Sequence, residues 1–239
     1  MKLDAGAFGN HEHDRNLAHV QKIIGASDFQ WVVSNYSEGS LSALKSGTKQ
    51  AKSFTIIERA GLKIGVVGAN TSETIEQVFP GNLDYTDASG AKKTITIDPG
   101  VTGINQAIVD AKAAGADLVI ALVHQGWLEN SDGVSKGILN TMAAQIKGAA
   151  AIYGGHSHQS FASVIPSSPR VAPVVIGQTR NSGVEYTRTQ ICMKFGKVVG
   201  QSIEHVLKAA APTMTTGVVS TVTTQDVAAA AMVKKYKDQ

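Results

Sequence analysis

Three short clusters in this chain hold side chains that could do chemistry together: Gly9-Asn10-His11-Glu12-His13-Asp14, Val123-His124-Gln125-Gly126 and Gly154-Gly155-His156-Ser157-His158. Five of the seven histidines fall in these stretches, and four of them (His11, His124, His156 and His158) are the candidates for chemistry. Imidazole nitrogens gathered from separate segments make a nitrogen-rich site suited to Zn, Mn, Fe or Ni, and Asn10 adds an amide oxygen as a harder donor. His156 and His158 are two apart, so on an extended segment both rings project to one side. Gly154-Gly155 lets the backbone turn sharply before them. A His in a loop is more often a solvated or hydrogen-bonding residue than a ligand, and an isolated His-x-His adds little. The ordered set of three clusters is what carries weight.

These residues need elements to position them. The run before Gly9 reads as a short strand that delivers residues 9–14 onto a loop. Asp14 is placed to cap the next segment, where Leu17, Val20, Ile23 and Ile24 follow helical spacing. Residues 30–33 read as a strand, residues 36–52 as an exposed loop, and residues 54–58 and 62–68 as a hairpin broken at Ala60-Gly61. Residues 70–98 read as an irregular insertion over one end of the sheet, with turns at Pro80-Gly81 and Ser89-Gly90. An amphipathic helix over 103–114 precedes the apolar run 117–123, a strand buried on both faces with His124 at its C-terminal end. That end is where open α/β sheets gather ligands. A second helix over 136–147 leads to a short strand, 150–153, ending at Gly154.

After Pro166 the pattern changes. Residues 174–176, 186–195 and 198–207 read as antiparallel strands, and 209–239 as an extended linker and a terminal helix. Strands alternating with helices, followed by antiparallel strands, predict an α/β sandwich with a mixed or doubled sheet.

Composition narrows the class. The chain has 239 residues, 43% hydrophobic and 17% charged, which fits an ordinary globular protein. A net charge of +3 without a clustered basic patch argues against nucleic acid as a partner. Cys192 is the single cysteine, which rules out an internal disulfide, and its place in a strand-like run predicts a buried structural thiol. No run of about 18 apolar residues predicts a membrane span, and the first residues lack the pattern of a secretory signal.

The set resembles the calcineurin-like metallophosphoesterases, and within them the 5′-nucleotidase branch, with its Gly-Asn-His-Glu-Phe-Asp, Ser-His-x-Gly and Gly-Gly-His-Ser-His motifs. Leu62 to Gly68 and Ser34-Asn35 are similar to further stretches of that branch, and the resemblance covers roughly residues 3–205. It implies a layered α/β/β/α sandwich with mixed sheets over residues 1–208, incomplete at the N-terminus. It also implies hydrolysis of phosphate esters by metal-activated water. In the resembled site Asn10, His124 and His156 would ligate one metal and His158 the other. His11 would face the phosphate oxygens, stabilising charge or protonating the leaving group, with Asp14 behind it as orienter. A His–Asp pair of this kind fixes the tautomer and raises the basicity of the ring.

The family's Asp-x-His and Gly-Asp motifs, which complete the first metal position and bridge the two, do not occur before Gly9. Asp4 is a poor substitute. One well-formed divalent site is therefore expected, with three protein ligands. His13 stands where the family commonly has Phe, and reads as a tolerated loop substitution before a compensating ligand. Tyr85, Trp127 and Tyr186 read as packing residues before pocket residues, and Arg170, Arg180 and Arg188 as solvated before phosphate-binding.

The implied substrate is a phosphate ester, with nucleotides favoured by resemblance. The resembled proteins are typically secreted or in the cell envelope. One rival reading is a catalytically impaired fragment that binds one metal or none and self-associates into a homo-oligomer through exposed strand edges. Another is a different hydrolase, acting on an ester or lactam at a remodelled mononuclear site.

Overall fold

The computed structural model describes residues 3–126, 128–129, 135–136, 138–165 and 174–207. Trp127, Arg170 and the expected linker and helix over 209–239 lie outside them. In chain order the strands are β1 Ala5–Ala7, β2 Gln30–Val32, β3 Lys45–Ser46, β4 Lys49–Gln50, β5 Phe54–Arg59, β6 Leu62–Ala69, β7 Asp84–Thr86, β8 Lys92–Thr94, β9 Leu118–Val123, β10 Leu128–Glu129, β11 Ser135–Lys136, β12 Ala151–Tyr153, β13 Phe161–Ile165, β14 Val174–Gln178, β15 Glu185–Lys194 and β16 Lys197–Leu207. The helices are α1 Leu17–Ala26, α2 Glu38–Ala43, α3 Thr74–Gln77, α4 Thr102–Ala113 and α5 Ile138–Gln145.

A six-stranded mixed sheet in the order β13-β14-β12-β9-β6-β5 organises the molecule. Its central strands β6, β9, β12 and β14 run parallel, and the outer strands β5 and β13 run antiparallel to their neighbours. The parallel strands are apolar because both faces are covered. Helices α4 and α5 cover one side. Ile104, Ala107, Ile108 and Ala111 of α4 face Val67, Val119, Ala121 and Ile152, and Leu139 and Met142 of α5 complete that core. On the other side β1 and β2 pair in parallel and contact β5, β6 and β9. Phe8, Val20, Ile24, Trp31, Tyr36 and Leu44 build a second core there. This is a mixed α/β fold of the layered kind expected.

Several local expectations are revised. Asn16, not Asp14, caps α1, its side chain accepting from the His19 N–H at 3.2 Å. Residues 36–52 are not an exposed loop. They hold α2, capped by Ser37, and the β3-β4 hairpin, and they bury Tyr36, Leu44 and Ala51. Those apolar positions are too few and too irregularly spaced to show a period. Residues 70–98 likewise put Leu83, Ile95 and Ile97 into the second core, around the β7-β8 hairpin.

Strand β14 is parallel to β12 rather than part of an antiparallel run, and β13 carries no expectation at all. The β5-β6 hairpin turns at Ala60-Gly61 as expected, with both residues at positive φ (49° and 79°) as a tight hairpin turn requires. Cys192 is exposed, not buried: β15 alternates strictly, and Cys192 falls on its outward face. Tyr186 lies on that same exposed face, while Tyr85 packs against the second core. Among the described residues, no helix is long and apolar enough to cross a membrane.

Candidate metal centre

The three parallel strands β6, β9 and β12 end side by side. The segments that follow them, residues 70–77, 124–126 and 154–158, converge with the loop that follows β1. This is the edge at which open α/β sheets bind ligands.

Gly9 opens that loop. Its backbone is extended (φ −117°), and its N–H donates to Glu12 Oε2 at 2.7 Å, closing a single 3-10 turn over Asn10–His13. Burial holds the Glu12 carboxyl above the ordinary carboxylate range, and the Gly9 N–H partly offsets this. A Cβ at Gly9 would lie 2.7 Å from the His124 ring, so glycine is what lets the loop and the imidazole touch. Asn10 is buried, and its Oδ1 lies 3.0 Å from His124 Nε2. The His124 N–H donates to the Ala69 carbonyl at 2.8 Å, which ties the end of β9 to the end of β6. A Cβ at Gly155 would stand 3.1 Å from His124 Nδ1, so the histidine is flanked on both sides by glycine backbone. Desolvation, and then the neighbouring His156, His11 and His158, bring the His124 pKa down to about 4. The ring is neutral at pH 7, the form that ligates.

His156 sits beside His124, with ring centroids 5.2 Å apart in an edge-on arrangement. The segment carrying it is not extended as the sequence suggests. His156 and His158 both lie at positive φ (73° and 59°), and the Ser157 N–H folds back to the Gly155 carbonyl at 2.8 Å. Left-handed backbone at two non-glycine residues is unusual and is held by its surroundings. Ser157 is packed so closely on Gly126 that a Cβ there would stand 2.6 Å from its own. His158 is exposed and close enough for its charge to be felt at His124.

His11 is also exposed, with Nδ1 2.8 Å from Asp14 Oδ2. Asp4 is engaged elsewhere, in an ion pair with Arg59. Arg180 and Arg188 pair with Glu185 and Glu204 and are not turned to the site.

The structure thus brings Asn10, His124 and His156 together, with His11–Asp14 and His158 at the rim. Among the described residues, no three His, Cys, Asp or Glu side chains cluster closely enough to hold an ion by themselves. The set depends on the amide of Asn10. Its chemistry fits a divalent cation. Asn10 Oδ1 accepts a hydrogen bond from His124 Nε2 at 3.0 Å, a spacing that two donors about 2.1 Å from one octahedral cation would also take once the ring proton was displaced.

Two participants were not anticipated. Glu73 Oε2 lies 3.0 Å from His156 Nε2, and Gln77 Nε2 donates to the same carboxylate oxygen at 3.1 Å. Both lie just beyond the end of β6, which opens on the same edge as β9 and β12. His13 is the other departure. It is fully buried, stacked on Phe8 with centroids 5.9 Å apart and hydrogen-bonded through Nε2 to Tyr36 Oη at 2.8 Å. A flat ring is what the position asks for, and His supplies one.

No family model matches the chain. By sequence it is 28% identical over 174 residues to a trifunctional nucleotide phosphoesterase, YfkN, of Bacillus subtilis (68% of this chain, 11% of the relative). It is 27% identical over 180 residues to a snake venom 5′-nucleotidase of Crotalus adamanteus (72% and 26%). By fold it is similar to a 5′-nucleotidase precursor of Thermus thermophilus, with a TM-score of 0.65 at 19% identity over 86% of this chain and 39% of that one. The calcineurin-like phosphoesterase YfkN of Bacillus subtilis gives 0.63 at 22% identity over 86% and 64%. The chain spans between 11% and 26% of the length of those two sequence relatives. Its relatives and structural neighbours are 5′-nucleotidases and calcineurin-like phosphoesterases, hydrolases whose fold this sheet shares.

Proposed function

We propose that the chain carries a catalytic region that hydrolyses phosphate esters with the help of a divalent metal, with nucleotides as the favoured substrate class. The observation that carries this reading is the meeting of Asn10 Oδ1 and His124 Nε2 at 3.0 Å, with His156 beside them, at the ends of parallel strands. The nucleotide preference rests on the relatives, which are nucleotidases and nucleotide phosphoesterases.

Asn10, His124 and His156 would hold the principal cation, and His158 would contribute to a second position. A cation bound there would supply charge neutralisation and the activation of water. The chain's own groups do the rest. Gly9 and Gly155 admit the His124 ring, and burial keeps that ring unprotonated. His11 is exposed, so it can meet a substrate arriving from solvent. With Nδ1 engaged by Asp14, Nε2 would be the nitrogen offered to the substrate. A proton carried there can be given to the leaving oxygen, while Asp14 stabilises the charged ring. Residues 1–208 are assigned to this catalytic region.

The test compares wild type with His124→Ala combined with His156→Ala. Metal content by mass spectrometry and hydrolysis of bis(p-nitrophenyl) phosphate and of AMP are the readouts. The wild type is expected to bind metal and turn over. The variant is expected to lose more than the about 10–100-fold that removing a supporting group costs. Undiminished hydrolysis in the double variant overturns the reading.

A further inference from the structure

The Glu73 carboxylate has no part in the chemistry above, yet it is aimed at one particular nitrogen. Its Oε2 lies 3.0 Å from His156 Nε2. An ionised carboxylate only accepts hydrogen bonds, so the proton between them belongs to His156 Nε2. Gln77 Nε2 donates to the same Oε2 at 3.1 Å, which explains why it also stands 3.4 Å from His156 Nε2: two N–H groups converge on one oxygen. The carboxylate is presented by a firmly held loop. The Glu73 N–H donates to Thr71 Oγ1 at 3.2 Å, Thr74 Oγ1 donates to the Thr71 carbonyl at 2.7 Å, and Asn70, Thr71 and Thr74 are all fully buried.

His156, for its part, has a left-handed backbone on a folded loop, so nothing in a regular strand or helix orients its ring. With Nε2–H committed to Glu73, the neutral ring has its lone pair on Nδ1.

We infer that Glu73 is a positioning residue: it fixes His156 as the Nε2–H tautomer, so that Nδ1 is the nitrogen offered to a cation. A carboxylate behind a ligating histidine sets the ring's tautomer and orientation and raises its basicity. This rests on the metal reading of the site, but the tautomer itself does not need a metal.

Two measurements separate them. Long-range proton–nitrogen correlation spectra of metal-free protein labelled with ¹⁵N-histidine at pH 8 show which ring nitrogen carries the proton, with His156 assigned by its loss in His156→Ala. The wild type is expected to show Nε2–H. Glu73→Ala is expected to show a mixture, and Glu73→Gln, whose amide oxygen still accepts, to stay close to wild type. An Nδ1–H ring in the wild type, or no change in Glu73→Ala, overturns the inference.

Calorimetric titration with Mn²⁺ is the second measurement. Glu73→Ala is expected to bind about 10–100-fold more weakly, and Glu73→Gln to keep most of the affinity. Equal losses in the two variants would mean that the carboxylate charge itself is required, and would overturn a positioning role. A wild type that takes up no Mn²⁺ while showing the expected tautomer removes the metal reading and leaves the Glu73–His156 assignment standing. Glu73 is nearly half exposed, so neither variant opens a cavity.

Discussion

A missing side chain does as much at this site as the histidines do. Gly9 has an extended backbone that alanine adopts freely, so Gly9→Ala is unstrained in itself. Its effect is steric, because the new methyl would stand 2.7 Å from the His124 ring and must push it off the Asn10 amide. We expect Gly9→Ala to keep its thermal midpoint within a few degrees and to lose about tenfold or more in metal affinity, a 1 Å-scale misplacement being worth that much at a preorganised site. Unchanged affinity by calorimetric titration would show that the ring is free to retreat.

That Asn10, His124 and His156 would meet was legible in the ordered motifs that carry them, each at a turn or strand end. The part of Glu73 was not. It lies four residues beyond the end of β6, in a stretch whose sequence reads only as irregular. Nothing local reveals that it meets a histidine 83 positions away.

At the scale of elements, the strands that carry the site were legible because both-face burial writes a continuous apolar run, as in β9, and helical spacing writes α1 and α4. Pairing direction was not. Residues 174–176 and 186–195 both read as antiparallel strands, yet β14 is parallel to β12 while β15 pairs with β16. Direction is set by the connections, and a short strand carries no mark of it.

One crossing holds the two layers in register. The carbonyl of Gly68, near the end of β6, accepts both the Ser34 N–H and Ser34 Oγ–H at 2.7 Å, and a Cβ on Gly68 would fall 2.2 Å from the Val32 carbonyl oxygen. That obstacle is backbone and cannot rotate away. Gly68→Ala is therefore expected to destabilise by about 2–3 kcal/mol or more, as overpacking of a fixed contact does. Urea unfolding monitored at Trp31, which is buried in the adjoining core, would read it. A midpoint equal to wild type would mean that β2 and β6 can part without loss.

Over the whole molecule, the two cores are bridged by buried polar groups. Asn70 Nδ2 donates to Tyr36 Oη at 2.7 Å and to the Gly9 carbonyl at 3.2 Å, and Asn35 ties to Asn70 from both sides. Tyr36 Oη shares a hydrogen bond with His13 Nε2 at 2.8 Å. Burial lowers the His13 pKa to about 4 from an ordinary 6.5, with Asp14 opposing slightly. Such a group takes up its proton on unfolding and not in the fold, so acid favours the unfolded chain. The stability it protects is full above pH 6.5 and drains as pH falls towards 4, by at most about 3 kcal/mol. His124 draws on the same window.

His13→Phe keeps the aromatic packing on Phe8 but cannot titrate. Its urea midpoint is expected to be modestly lower at pH 7, where Tyr36 loses a hydrogen-bond partner worth about 1 kcal/mol. It is also expected to fall less steeply than wild type between pH 6.5 and 4, and parallel curves would assign the acid sensitivity elsewhere. No pattern in the sequence announces this role, since a buried His and a loop His are written the same way.

The Asn10–His124 contact has a further consequence, for the order in which the molecule assembles. Its partners are 114 residues apart, and the His156–Glu73 pair spans 83. Closing loops of that size costs entropy that no neighbouring contact returns, so the donor atoms meet only as the central strands complete their pairing. On the metal reading, a cation would recognise finished molecules alone. It would withdraw them from the folding equilibrium in proportion to its free concentration, so metal supply would govern how long the protein survives as well as whether it reacts.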